Sequence, residues 1–327
     1  MQVVDTCRVR LLSLYAWAGA WRCLICLLAV VCFWAPTFRG QSDACLSRTT
    51  LIGVSGTPGP DGLTAADFRV TVGGKTASVQ SATLADRPPR VVILLDASAN
   101  HDQSTWAATQ AMLDEFLAGF PEVGDFIVVI FDDKVQRVVN TFDRASLQGT
   151  LGELFPSGKR ESEAGLVEAI KKGSASFDTH HPGDAELLIT TWDQVQKETE
   201  QALSQQRVAG IRFFGASFDQ TRRFGPDRFG VGMTLENYSP LEAAAKASGG
   251  RWIWFDMSGQ DPAASLRNAT AAGKSISALV RDYVVLELRL VSPITKPEKL
   301  KIELVKGPKL KAQDRLPTYP RELFPCQ

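Results

Sequence analysis

One apolar run that stops abruptly constrains this chain more than any other feature. Val91–Leu95 are consecutive apolar residues, and Asp96 follows them directly. A short, uninterrupted apolar run is typical of a strand buried on both faces of a parallel sheet. In open α/β sheets, ligands bind where the loops fan apart beyond the carboxyl ends of such strands. The sequence therefore predicts a binding crevice that starts at Asp96.

Three oxygen donors stand at alternate positions after the run. Asp96, Ser98 and Asn100 supply a carboxylate, a hydroxyl and an amide oxygen, and hard oxygen ligands of this kind suit Mg²⁺. A second interpretation stays open. In it Asp96 accepts backbone hydrogen bonds from its own loop, while Asn100 or Asp102 caps the helix that follows.

Strands and helices alternate from residue 90 onward. Helical spacing or polar helical composition marks a segment after Asp102 and further segments near 145–155, 161–173, 194–206, 241–248 and 262–280. Strand patterns lie at 126–131, 135–139, 186–190, 211–216 and 252–255. This alternation predicts an α/β fold with a doubly wound parallel sheet, in which 135–139 forms an antiparallel edge.

The two ends of the chain are rich in strand patterns instead. Residues 45–88 predict a small β unit with a two-residue hairpin turn at Gly73-Gly74. In the tail, 261–327, a helix precedes two segments whose apolar residues alternate with charged ones. We expect these two segments to form a hairpin that packs on the small β unit as an accessory β layer.

The first 40 residues indicate export. Arg8, Arg10 and Arg22 precede an apolar run at 23–36. A basic lead and a run of this length favour a removed signal peptide, although a retained N-terminal anchor is the alternative. Either case places the protein outside the cytoplasm, in the periplasm or secreted, with membrane anchoring in the second. Cys45 and Cys326 are the only cysteines beyond this segment, which predicts a disulfide between the chain ends.

Charge and histidine content exclude two classes of function. Lysine plus arginine and aspartate plus glutamate are equal at 36 each, so the chain has no basic field with which to bind nucleic acid. The histidines are His101, His180 and His181. They lack the spacing of a zinc site, and we expect all three to be solvated loop residues.

These motifs together resemble the von Willebrand factor type A (VWA) domain. The resemblance rests on the strand into Asp96-x-Ser98-x-Asn100, the segment from Gly124 to Phe131, the Ile189-Thr190 strand end and 247–251. It covers about 90–260. The flanking β-rich segments look like those of the acidobacterial VWFA-related group of exported proteins.

The resemblance implies a Rossmann-like sheet with a metal-ion-dependent adhesion site (MIDAS). That site uses an Asp-x-Ser-x-Ser loop, a distant threonine and an aspartate in a Thr-Asp-Gly turn. Here Asn100 replaces the second serine, 158–162 contains no threonine, and Thr191 occupies the expected aspartate position, with Asp193 two residues later. The implied ligands are therefore Asp96, Ser98, Asn100 and Asp193. A site this degenerate is expected to bind Mg²⁺ weakly or not at all.

The function expected from this resemblance is non-enzymatic protein–protein interaction or adhesion. The partner is expected to be a protein that contacts the rim of the crevice at Lys159, Arg160 and Trp192. A purely structural domain is one alternative, and its crevice should be filled by Trp192 or Lys159. A hydrolase that uses Ser98 with His101 is the other, but the flanking glycines of a nucleophile elbow are absent from the sequence.

Overall fold

The computed structural model describes residues 45–54, 62–85, 88–157, 159–191, 197–219, 239–257, 261–305 and 317–326. The predicted signal peptide or anchor at 1–40 lies outside these residues. No helix within the described ranges has both the length and the apolar character needed to cross a membrane.

The larger sheet forms around the apolar run that opens the main domain. Its strands are β4 (Val91–Asp96), β5 (Val123–Phe131), β6 (Val135–Asp143), β7 (Ala185–Thr190), β8 (Arg212–Asp219) and β9 (Trp252–Asp256). Their spatial order is β6-β5-β4-β7-β8-β9. All neighbours are parallel except β5 and β6. The prediction of a doubly wound sheet with an antiparallel edge is confirmed.

Within the described residues, six helices cover the two faces of this sheet. They are α1 (Gln103–Ala118), α2 (Arg144–Gly152), α3 (Glu163–Ala175), α4 (Lys197–Val208), α5 (Pro240–Ser248) and α6 (Pro262–Arg281). Alternate residues of β4 pack into two separate apolar clusters, one with α1, α2 and α6 and the other with α3, α4 and α5. The apolar run has no polar interruption because both of its faces are buried.

The strand order reverses at β4, which positions the functional crevice. The chain moves from β4 to β5 on one side and returns with β7 on the other side. At such a switch point the flanking loops separate and leave a cleft at the carboxyl ends of the strands. Asp96 ends β4 and Thr190 ends β7, so both lie beside this cleft.

The accessory sheet is antiparallel and combines both ends of the chain. Its strands are β1 (Ser47–Gly53), β2 (Phe68–Val72), β3 (Lys75–Leu84), β10 (Tyr283–Arg289), β11 (Glu298–Leu304) and β12 (Glu322–Leu323). Their order is β1-β10-β3-β2-β11-β12, and their apolar residues form one cluster. The predicted turn at Gly73-Gly74 joins β2 to β3 with both glycines at positive φ, 57° and 80°.

The predicted hairpin between the two tail strands is wrong. β10 pairs with β1 and β3, whereas β11 pairs with β2 and β12. The tail strands therefore have two strands of the N-terminal unit between them. Alternation of apolar and charged residues shows which face of a strand is buried, but it does not show which strand lies next to it.

The chain ends are held together beside this sheet. The predicted disulfide joins Cys45 to Cys326, with Cα atoms 5.5 Å apart. Arg48 also donates a hydrogen bond to the carbonyl of Phe324 (2.6 Å). The link spans 281 residues in sequence, and closing a loop of that length stabilises a fold by about 2–5 kcal/mol.

A buried arginine fastens the accessory sheet to the larger one. Arg212, the first residue of β8, is 0% exposed. Its guanidinium donates to the carbonyls of Leu279 (2.9 Å), Val280 (2.7 Å) and Gly183 (3.0 Å). It also lies over the ring of Tyr283, at 4.7 Å from the centroid. Burial lowers the pKa of Arg212 to about 10, so the side chain stays charged at neutral pH.

Candidate functional site

Asp96 is the centre of a buried polar cluster at the switch point. Its side chain is fully buried, and both oxygens accept hydrogen bonds. One accepts from the backbone N–H of Ser98 (2.8 Å). The other accepts from both the backbone N–H and the hydroxyl of Thr191 (3.1 Å each). Asp96 therefore links the loop after β4 to the loop after β7.

A second carboxyl group, that of Glu161, lies against Asp96. Glu161 is only 4% exposed, and the hydroxyl of Thr190 donates to both of its oxygens, at 3.0 and 2.9 Å. Two ionised carboxylates in contact inside a protein would repel each other strongly. The pair therefore needs a proton or a cation for compensation.

The protonation states of the pair are divided between the two residues. Burial and the negative charge of Asp96 raise the pKa of Glu161 well above its usual value. For Asp96, burial acts in the same upward direction, but interactions with His101, Glu161 and Ser98 outweigh it and lower the pKa to about 2. Asp96 is thus the ionised member of the pair, and the raised pKa of Glu161 favours its protonated form, which can donate a hydrogen bond to Asp96.

Backbone contacts between two loops bring Glu161 to this position. The N–H of Ser157 donates to the carbonyl of Ala97, and the N–H of Ala99 donates to the carbonyl of Lys159, both at 2.6 Å. Ser162 then caps α3 by accepting from the N–H of Gly165. Glu161 is held between these loop contacts and the start of the helix, so its side chain turns inward.

Asp132, at the end of β5, holds the same loop from the other side. It accepts hydrogen bonds from the Ser157 hydroxyl (2.7 Å) and the Gln136 amide (2.6 Å). Burial alone would raise the pKa of Asp132, but these bonds lower it to about 2. Asp132 therefore acts as an ionised support for the loop that carries Glu161.

The expectation of a solvated His101 is wrong. Its side chain is buried, with Nε2 3.4 Å from Asp96 Oδ2, and its ring meets Trp106 edge-on at 5.4 Å. Asp102 caps α1 by accepting from the N–H of Thr105, and this cap turns the preceding residue under the helix. A histidine between an apolar ring and a carboxylate is shielded from water. His180 and His181 are exposed, as expected.

The predicted ligands and rim residues separate into three groups. Ser98 is buried in the cluster, while Asn100 is half-buried and contacts it through its backbone N–H, which donates to the Ser98 hydroxyl (3.3 Å). Lys159 and Arg160 are exposed on the rim. Asp193 and Trp192 lie outside the described residues, so their predicted roles remain predictions.

The arrangement fits a dication poorly. Both Asp96 oxygens already accept from Ser98 and Thr191, and the raised pKa of Glu161 disfavours a second negative charge beside them. Among the residues that the structure describes, no three histidine, cysteine, aspartate or glutamate side chains are grouped as metal ligands. The position beside Asp96, where a cation could compensate the charge, is occupied by the carboxyl group of Glu161.

The structure also bears on the alternatives that name Lys159 and Ser98. Lys159 does not fill the crevice, because its ammonium group pairs with Asp133 on the surface (3.0 Å). Ser98 is fully buried, and no hydrogen bond joins it to His101 within the described part of the chain. Within the described residues, the Ser98–His101 contact that would activate Ser98 as a nucleophile is therefore not formed.

Glu161 and Asp132 are the residues that the sequence interpretation missed. Glu161 falls within 158–162, where the family pattern predicts a threonine and no carboxylate. An acid directly before a helix-capping serine was the available signal. That signal is weak, since most acids at helix starts are solvated and interact only with the helix dipole.

Proteins similar to this chain are found among solved structures. No protein-family model matches the chain, and no curated protein matches it. An aerotolerance-related membrane protein from Bacteroides fragilis is 18% identical, with 59% of this chain and 98% of the other covered and a TM-score of 0.43. A von Willebrand factor type A protein from Catenulispora acidiphila is 10% identical over 85% of this chain and 72% of its own, with a TM-score of 0.43.

A third similar structure is the proximal thread matrix protein 1 of the mussel byssus with a zinc-occupied MIDAS motif. It is 11% identical over 61% of this chain and 47% of its own, and its TM-score is 0.44. Solved structures similar to this chain thus include a von Willebrand factor type A protein. The fold is assigned from the strand order and crossovers described above.

Proposed function

We propose that this chain is an exported VWA-type interaction module that binds a protein partner at the carboxyl ends of β4 and β7 without a divalent ion. The observation that carries this proposal is the buried Glu161 carboxyl group beside Asp96. In the family pattern a metal ion lies at the aspartate and is completed by an acidic group of the ligand. Here an internal acid already lies at the aspartate.

Metal binding at Asp96 would carry a large energetic cost. A dication that approached Asp96 would have to displace the proton of Glu161 and compete with three hydrogen bonds from Ser98 and Thr191. Hydrogen bonds to a charged group contribute about 1.5–3 kcal/mol each. A millimolar affinity corresponds to only about 4 kcal/mol. Breaking the cluster would therefore cancel the binding free energy of a weak Mg²⁺ site.

Recognition is then expected on the rim of the crevice. Lys159 and Arg160 are exposed there, beside the loop that holds Glu161. Lys159 is paired with Asp133, but exposed ion pairs are weak and exchange readily. A carboxylate of the partner can therefore replace Asp133, and Trp192 is proposed to add aromatic contact area. Adhesion is one form that such recognition could take.

The proposed location is extracytoplasmic. The Cys45–Cys326 disulfide supports this, because disulfides persist in oxidising compartments and are rare in the cytosol. The N-terminal segment is proposed to direct export, either as a removed signal or as an anchor.

The test is capture of exported proteins on the immobilised chain, with and without EDTA. We expect partner binding to survive chelation and to fall with the double change Lys159→Ala, Arg160→Ala. The matched control is Lys171→Ala, Lys172→Ala, which removes two exposed charges from α3. Loss of binding in EDTA, or Mg²⁺ binding tighter than about 100 μM by calorimetry, would return the protein to the metal-dependent class. Equal capture by both double variants would contradict the proposed rim.

A further inference from the structure

The outer strand of the larger sheet, β6, has a free edge. It is nine residues long and pairs on one side with β5. No strand among the described residues pairs with its other side. A free edge presents unpaired N–H and C=O groups, and proteins commonly protect such an edge with charge or irregularity. Here it displays apolar residues, since Val138 is 41% and Phe142 is 64% exposed.

The pairing with β5 shows which residues of β6 share a face. Val138 pairs with Val129 and Asn140 with Ile127, and both β5 residues pack in the cluster that contains α3. By alternation Phe142 lies on that same face. Arg137, Val139, Thr141 and Asp143 lie on the opposite face. Two exposed apolar residues, Val138 and Phe142, thus lie on one face of the edge on either side of Asn140, and both charged residues of β6 lie on the other face.

We propose that a second copy of this chain pairs antiparallel with β6 through a two-fold axis at Asn140. In this register Val138 of one copy lies opposite Phe142 of the other, and this contact occurs twice on one face. On the opposite face Arg137 of one copy lies opposite Asp143 of the other, which also occurs twice. The unpaired backbone groups of both edges are satisfied, and the two sheets become continuous.

Of the registers centred on Val139, Asn140 and Thr141, only the one centred on Asn140 brings both the apolar pairs and the opposite charges together. A two-fold axis normal to the sheet keeps each residue on its own face, so only residues of equal parity can pair. Moving the axis by one residue to Val139 or Thr141 separates both the apolar pairs and the charge pairs. Asp143 is also fixed in place, because it caps α2 through the N–H groups of Ala145 and Ser146. These pairings favour a second copy over an unrelated strand.

Cysteine cross-linking tests the register directly. Opposed residues in an antiparallel pair have Cα atoms about 4.5–5.5 Å apart, which is within the range for a disulfide. In the full chain carrying Asn140→Cys, mild oxidation should give a dimer of doubled mass on a non-reducing gel. The control is Val291→Cys, at a site that is 73% exposed and follows β10 in the accessory sheet. Both variants keep all the native cysteines, so cross-links through the native cysteines appear equally in the two proteins.

A second set of changes tests the contacts. Adding Phe142→Lys to Asn140→Cys should lower the cross-linked fraction about tenfold, because the Val–Phe pair is lost twice. Adding Arg137→Asp should also lower it, since two aspartates would then face each other. Adding Val291→Lys should leave it unchanged. A dimer yield for Asn140→Cys no higher than for Val291→Cys would overturn the proposal, and so would a yield that Phe142→Lys does not change.

Discussion

Two buried charged clusters lie at opposite ends of the parallel sheet, and they are compensated in different ways. At the carboxyl end, Asp96 is balanced by hydroxyl and amide donors, by His101 and by the proton of Glu161. At the amino end, the charge of Arg212 is spread over three backbone carbonyls. The charge of Asp96 is thus compensated partly by side chains that titrate, whereas the charge of Arg212 is compensated by backbone carbonyls, which do not.

Because of this difference, the carboxyl-end cluster can respond to pH, whereas the cluster around Arg212 cannot. Backbone carbonyls at a helix terminus keep their orientation as long as the fold persists, so Arg212 is held under all conditions in which the protein is folded. The carboxyl-end cluster depends on a proton, and protons respond to pH and to neighbouring charge. We therefore expect sensitivity to pH and ligands at the carboxyl end and purely structural consequences at the amino end.

The largest expected effect comes from Arg212→Ala. The change leaves three buried carbonyls without a donor and removes the contact with Tyr283, so the free energy of unfolding should fall by on the order of 3–5 kcal/mol. Because the pKa of Arg212 is about 10, this loss should be the same at pH 5 and pH 8. Urea unfolding at both values measures it. Arg69→Ala, at an exposed site in β2, is the control and should lower the free energy of unfolding very little. If Arg212→Ala lowered it no more than Arg69→Ala does, Arg212 would not have the structural role assigned to it.

Asp96→Ala should have the next largest effect. It removes the acceptor of three hydrogen bonds from Ser98 and Thr191, and the free energy of unfolding should fall by roughly 2–4 kcal/mol. Thermal melts with EDTA and with Mg²⁺ should show the same loss, because the role proposed for Asp96 does not involve a metal. If the variant melted like the wild type while partner binding disappeared, Asp96 would be a ligand-binding residue rather than a structural one.

Glu161→Gln should change how stability depends on pH. A group with a raised pKa in the folded state stabilises fully below its unfolded pKa of about 4.3, and that contribution is lost as pH rises toward the folded pKa. The slope is up to about 1.4 kcal/mol per pH unit. Glutamine does not titrate, so the free energy of unfolding of the variant should rise relative to that of the wild type from pH 5 to pH 8.

Denaturant unfolding at four pH values in this range measures the difference. Another buried acid, Glu186, whose pKa burial also raises, is present in both proteins and cancels. Glu198→Gln, at an exposed site in α4, serves as the control. A constant difference between Glu161→Gln and the wild type would show that Glu161 is ionised in the folded protein.

The smallest effect is expected for Thr191→Val. The hydroxyl bond to Asp96 is lost, but the backbone N–H of the same residue still donates to that oxygen. The free energy of unfolding should fall by about 1 kcal/mol. Thr295→Val, at an exposed site before β11, provides the comparison in the same melts. A loss as large as that of Asp96→Ala would mean that the hydroxyl alone holds the two loops together.

The order of strands and helices could be predicted from the residues alone. Continuous apolar runs such as Val91–Leu95 arise because both faces of a central strand are buried, and this is a local property that the residues record directly. The pairing of Cys45 with Cys326 was likewise available, since they are the only cysteines after the N-terminal segment. The antiparallel edge at β6 followed from a short turn between two strand patterns.

The groups that compensate Asp96, and the strands that lie next to each other, could not be predicted without the folded structure. Asp96, Glu161 and Thr190 come from three separate parts of the chain, and the inward turn of Glu161 depends on backbone bonds between two loops. The positions of β10 and β11 depend on pairing with strands more than 200 residues earlier. A sequence pattern shows that a side chain is polar or apolar, but the partner that neutralises or covers it is chosen by packing between distant segments.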